Sequence, residues 1–197
     1  MFKVILKTAL KTLLVVLLLA AVGFAIASLG FPKSMASYFE KCGNYSMAAA
    51  YSSLSYSYSG DADDLNRCVQ DNIEAGNDRN VSAFGDELLS RDDFSQFCER
   101  KSGELKFDYR QYICGRIAVA KYRLGNFDGA ISLVNGAMSF VNFPSQNAMV
   151  QLVLAVREKG NKPDGERLLA EVEKLKPTEE EQPYYEMVKN ILAEFIK

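Results

Sequence analysis

The chain has 197 residues, 48% of them apolar, and a formal charge of −2, which leaves room for one domain with a core plus appendages. It contains no histidine, which excludes Ser-His-Asp and Cys-His catalysis, histidine general bases and zinc sites built on imidazole. Lys3, Lys7 and Lys11 are the only charged side chains before Lys33, so the remainder holds 20 of the 23 basic residues against all 25 acids, a net −5; such an acidic domain is a poor match for nucleic acid.

The first element is apolar. Residues 12–32, TLLVVLLLAAVGFAIASLGFP, carry no charge. About 20 apolar residues are needed to cross a bilayer as a helix, and 13–31 nearly meet that length, with Lys11 and Lys33 placed to snorkel to the two interfaces. A permanent anchor over 1–32 is one expectation. A signal peptide is the other, with three lysines in front, an apolar centre and Ala25-Ile26-Ala27 as a small-residue site for cleavage after Ala27. The length of the run favours the anchor. In both cases the basic residues precede the span, which keeps the N-terminus in the cytoplasm and sends the bulk of the chain outward.

Beyond the span, four Gly-Asn pairs recur: Gly43-Asn44, Gly76-Asn77, Gly125-Asn126 and Gly160-Asn161, with intervals of 33, 49 and 35. Glycine ends a helix by turning left-handed without a Cβ clash, and asparagine caps the next one. The surroundings repeat as well. Eight and seven residues before each glycine stand Met35-Ala36, Cys68-Val69, Ile117-Ala118 and Leu152-Val153; five after it come Ala48, Val81, Ala130 and Gly165. Each pair of apolar residues makes a stripe on a first helix, and the small residue lets a second helix approach. The expected helices are 33–42 and 46–57, 61–75 and 79–90, 107–124 and 127–140, then 145–159 and 164–175. An extra helix, 92–101, fills the long interval, and a last one, about 183–196, covers the end. Ser53 to Ser59 also alternates with period two, which is compatible with an extended segment. Ala130, Ile131, Val134, Ala137 and Met138 share one face; Thr178 with Glu181 reads as a capping box, or Pro183 marks the true start.

The segment 118–138, AVAKYRLGNFDGAISLVNGAM, resembles a tetratricopeptide repeat through Leu124-Gly125-Asn126-Phe127, Ala130-Ile131 and Ala137. FEKCGNYSMAA at 39–49 looks similar, 148–177 is a weaker copy and 65–88 the weakest. The resemblance implies an all-α, tetratricopeptide-like solenoid of about four helix pairs over 33–177, interrupted near 90–104, with 178–197 as a capping helix. The tryptophan of the family's first helix is missing from every copy.

No residue set amounts to a catalytic centre, a metal site or a cofactor site. Asp61, Asp63 and Asp64, Asp92 and Asp93, and Glu179 to Glu181 each begin an expected helix, where acids complement the dipole. Cys42, Cys68, Cys98 and Cys114 lack CxxC spacing, so no zinc or redox motif is read. Cys98 with Cys114 is the pair to test for a disulfide; the alternative is four small buried thiols on helix faces. Tyr51, Tyr56 and Tyr58 crowd the first repeat, with Tyr45, among serines and form the candidate partner-binding patch, since Tyr and Ser make adaptable contacts; the alternative is that Tyr45 and Tyr51 pack between helices and Tyr56 and Tyr58 sit in a flexible loop. Asn44-Tyr45-Ser46 and Asn80-Val81-Ser82 match the glycosylation sequon and are expected in turns.

The function these features lead us to expect is a membrane-anchored scaffold or adaptor that binds a protein or peptide at the outer face of the membrane, in the cell envelope, without enzymatic activity. A binding protein secreted after cleavage at Ala27 is the alternative. Third comes an envelope enzyme acting on glycans, which would need two carboxylates held about 5–9 Å apart in a cleft.

Overall fold

The computed structural model describes residues 2–137 and 144–197, and every regular element within them is helical. The chain divides into two compact units, 1–71 and 72–197. The division falls inside a helix, not at a linker.

The first unit holds α1 (Phe2–Gly30), α2 (Pro32–Lys41), α3 (Tyr45–Ser59) and most of α4 (Ala62–Glu74). Within α1, Ala9–Gly30 is long and apolar enough to cross a membrane, and none of it is buried by the rest of the chain. At about 1.5 Å per residue it matches a hydrocarbon core of about 30 Å. The helix breaks at Phe31, whose φ of −136° is not helical. Pro32 then opens α2 in the first turn, where a missing N–H costs nothing. The end of α1 is not loose: the Ser28 and Tyr51 hydroxyls meet at 2.8 Å.

The serine-rich stretch 53–59 is helical throughout, not extended. Its hydroxyls explain this. Ser52 and Ser53 both donate to the Ala49 carbonyl, and Ser57 donates to that of Leu54. Polar groups that could compete with the helix are thereby turned back onto it. Gly60, at φ +66°, ends the helix.

The second unit holds the end of α4, then α5 (Asp78–Leu89), α6 (Phe94–Leu105), α7 (Tyr109–Arg123), α8 (Phe127–Gly136), a 3-10 turn (Pro144–Gln146), α9 (Ala148–Lys159), α10 (Lys162–Val172) and α11 (Gln182–Ile196). Helix α7 is its hub and packs against α5, α6, α8 and α9; α9 meets α8, α10 and α11, and α10 packs on α11. The core between them includes Leu152, Val153, Val156, Leu168, Val188 and Leu192, each with almost no exposed surface. Each such side chain contributes about 1.5–3 kcal/mol by leaving water.

Helix ends differ from the sequence expectation where caps decide them. The helix expected from 145 starts at Ala148, because Asn147 accepts a hydrogen bond from the Val150 N–H and acts as its cap. The helix expected to reach 175 closes at Val172. The extra helix is displaced to Phe94–Leu105 and ends at Lys106, whose φ is +64°. Residues 138–140 of the expected helix 127–140, with Met138, lie outside the described residues. At α11, the Glu181 carboxylate accepts from the Thr178 backbone N–H and hydroxyl at 2.9 and 3.0 Å, which is half of a capping box. The helix itself starts at Gln182, with Pro183 in its first turn.

The four Gly-Asn turns share one geometry. Gly43, Gly76, Gly125 and Gly160 have φ between +69° and +88°, the left-handed region that costs a residue with a Cβ about 1–2 kcal/mol. The side chains of Asn44, Asn77, Asn126 and Asn161 accept from the backbone N–H three residues on, at 3.2, 3.3, 3.0 and 3.4 Å. Each glycine therefore ends one helix and each asparagine starts the next. Of the twelve residues at the recurring offsets, all but Met35 are buried. Helices α5 and α7 approach closely at Gly85, where a Cβ would stand 2.7 Å from Ile117.

Candidate functional site

The tyrosines of the first unit do not form one exposed patch. Tyr51 stacks on Phe39, with ring centroids 5.5 Å apart and planes 6° from parallel, and its hydroxyl is engaged by Ser28. Tyr56 is half-buried, and of the three candidate tyrosines Tyr58 is the one open to solvent, at 62%. The serines around them face inward as well. Ser55 and Ser59 donate to the Asp64 carboxylate at 2.9 and 2.8 Å, and the Lys33 ammonium meets the same group at 2.9 Å. Burial opposes the Asp64 charge, but Lys33, Ser59 and Ser55 together outweigh it and hold the carboxyl below its ordinary value. Helix-dipole complementarity therefore accounts for only part of that acidic group. Asp61 caps α4 by accepting from the Asp64 N–H at 2.7 Å.

A second polar cluster joins α2, α3 and α4. Arg67 donates from Nε to Glu40 at 2.8 Å, from Nη2 to Ser37 at 2.7 Å and from Nη1 to the Lys33 carbonyl at 3.2 Å. Asp71 lies one turn on, 3.8 Å from the same Nε and almost wholly buried. Burial is the main force on its carboxyl; a hydrogen bond from Ser52 opposes it, Glu40 reinforces it, and the pKa rises to about 7. One guanidinium thus serves two carboxylates, and the pair holds a proton near neutrality. Of its charged side chains only Asp71 is buried, while Arg67, Glu40 and Ser37 are partly exposed, and the cluster ties α2 to α4 as a structural clasp.

The cysteines are free thiols, and the Cys98–Cys114 disulfide is not formed. Both are buried on helix faces in the second unit, where burial pushes their thiols up to about 12 and about 11. The Cys98 thiol is also raised by the charge of Cys114, so the two lie near one another without being bonded. Cys68 is likewise buried and held neutral, at about 11. Cys42 departs from the buried-thiol alternative and is exposed. Of the two sequons, Asn44 lies in a turn but Asn80 sits in the first turn of α5. Among the described residues, no three His, Cys, Asp or Glu side chains gather closely enough to hold a metal.

The site with room for a ligand is a groove of about 400 Å³ in the second unit, formed by α5, α6, α7 and α8. This is within the usual size of a binding pocket, about 300–1,000 Å³. Helix α7 lays Arg110, Cys114 and Lys121 along it, spaced so that all three fall on one helical face. Helix α6 adds Phe94, α5 adds Asp86 and Leu89, and α8 adds Leu133 and two glycines. Lys121 pairs with Asp86 at 2.7 Å, tying α7 to α5. The Arg110 guanidinium lies 5.9 Å from the centre of the Phe94 ring, a cation–π contact. The chemistry on offer is apolar contact, two cations, one acid, the Ser132 hydroxyl and the neutral thiol of Cys114.

Of these groove residues the sequence singled out Cys114, as a disulfide candidate, and Ala137, as a repeat position, but neither as part of a binding site. The available signal was the spacing of Arg110, Cys114 and Lys121 on a single stripe of α7, matched by Gly129, Leu133 and Gly136 on α8. Comparison with protein-family models, with curated proteins and with solved structures finds no match for this chain.

Proposed function

We propose that the chain is a membrane-anchored protein–protein interaction module: α1 spans the membrane and the remaining helices, stacked as tetratricopeptide-like pairs, bind a protein partner at the outer face. The observation that carries the reading is the repetition of one turn four times, with left-handed glycine, capping asparagine and buried flanking residues alike. Regular stacks of helix pairs present extended surfaces and typically bind other chains. The unburied apolar stretch of α1 supports the anchor, and the lysines ahead of it support a cytoplasmic N-terminus. The groove gives a place for a partner segment and offers it apolar and charged contacts. Function inferred from architecture is analogy, so the test must be direct. Chemical crosslinking of the tagged full-length chain in intact membranes, read by mass spectrometry, should return a defined heterologous partner linked through residues 33–197. Crosslinks confined to lipid, or linkage that scatters over abundant proteins in proportion to their amount, would contradict it.

A further inference from the structure

Helix α6 has no counterpart in the Gly-Asn rhythm. It lies in the long interval between Gly76 and Gly125, packs on α7, and brings Phe94 to the groove. Without α6 the groove would lack that aromatic wall. The two cations on the α7 stripe are not equivalent. Lys121 is occupied by Asp86 at 2.7 Å and is only 12% exposed. Arg110 is exposed, and among the described residues it meets no carboxylate at ion-pair distance. Its contact is with the face of Phe94, which orients the guanidinium and leaves its N–H donors unused. A free guanidinium in a fork geometry is suited to a carboxylate, which it can hold by two parallel hydrogen bonds.

We infer that this groove takes a short extended segment of a partner protein in which an acidic residue adjoins apolar ones, the carboxylate on Arg110 and the apolar side chains against Phe94, Leu89 and Leu133. The inference rests on the interaction-module reading and adds the partner's chemistry. Length supports a peptide: Arg110 and Lys121 are eleven positions apart on α7, about 16 Å of helix, the span of about five extended residues. Glycines contribute as well. A Cβ at Gly136 would meet nothing within 4 Å, so the α8 wall is open to a backbone. Charge supplies selectivity, since the region beyond residue 32 carries a net −5 and an acidic segment is repelled wherever no local cation receives it.

The test uses the full-length chain in nanodiscs of zwitterionic lipid and a phage-displayed library of random heptapeptides. The wild-type chain should enrich a motif with Asp or Glu beside Leu or an aromatic residue. Arg110→Glu should enrich Lys or Arg at that same motif position. The leading synthetic peptide should lose about tenfold or more in affinity against Arg110→Glu, and likewise when its acid is replaced by the amide. Arg110→Gln should also weaken binding, while Arg79→Glu, a charge reversal on exposed α5 surface, should not. Circular dichroism of each variant separates lost binding from lost fold. Enriched peptides without an acid, or binding that Arg110→Glu leaves within about twofold, would overturn the groove proposal and leave the module reading standing. Absence of any enrichment would overturn it too, with the module reading judged separately by crosslinking in membranes.

Discussion

At the scale of the residue, the chain places charge inside only where neighbours share the load. Asp64 is satisfied by an ammonium and two hydroxyls, and its charge is favoured. Asp71 is not, because burial and Glu40 outweigh Ser52 and Arg67. Its carboxyl, with an ordinary value of 3.8, keeps its proton to about pH 7 in the folded chain. Folding therefore takes up a proton between those limits, so the stability from this source is complete at the acid end and is lost as pH rises through 7. Urea melts should show the first unit weakening between about pH 4 and 7 and levelling off above that, and Asp71→Asn should flatten that slope and stabilise the chain by about 1–2 kcal/mol at the alkaline end. An unchanged slope in the variant would place the proton elsewhere. The turn glycines make a second residue-scale case. Gly125 has φ +88° and no atom within 4 Å of the place a Cβ would occupy. Gly125→Ala thus meets no clash and should cost about 1–2 kcal/mol from backbone strain alone, read as a fall in the urea midpoint.

At the scale of the element, what the sequence disclosed and what it hid have separate physical causes. Helix existence was legible because Gly-Asn specifies both a stop and a start through local hydrogen bonds, as at Gly125 and Asn126. The start of α9 at Ala148 was hidden although Asn147 is as good a cap, because no glycine precedes it. The role of the α3 serines was hidden because it depends on Asp64 of α4 arriving opposite them. Tyr51 could be read as a partner contact or as packed between helices, and only Phe39 and Ser28 decide for the second. The groove was hidden for the same reason: Arg110 gains its meaning only from Phe94, on a different helix. Packing between α5 and α7 yields the test at this scale. Gly85→Ala should drive its methyl group into Ile117 and cost about 1–3 kcal/mol by overpacking. In an Ile117→Ala background, where the obstructing atoms are gone, the same change should cost much less. Additive losses in the double variant would deny the contact.

At the scale of the whole molecule, the account joins an apolar helix near the N-terminus to a set of helices whose turns repeat. In the proposed reading, an anchoring α1 would give a binding surface its address. Without it the same helices would be a diffusing binder, which is the reading that cleavage after Ala27 would require. A spanning α1 would hold the chain at the bilayer by burying about 20 apolar residues in hydrocarbon, which no reversible surface contact approaches. The most direct measurement is therefore the intact mass of the chain recovered from carbonate-washed membranes. The account expects a species that retains residues 1–30, close to 21.9 kDa, in the membrane pellet. A mature chain that begins at Ser28 and is found in the soluble fraction would contradict it.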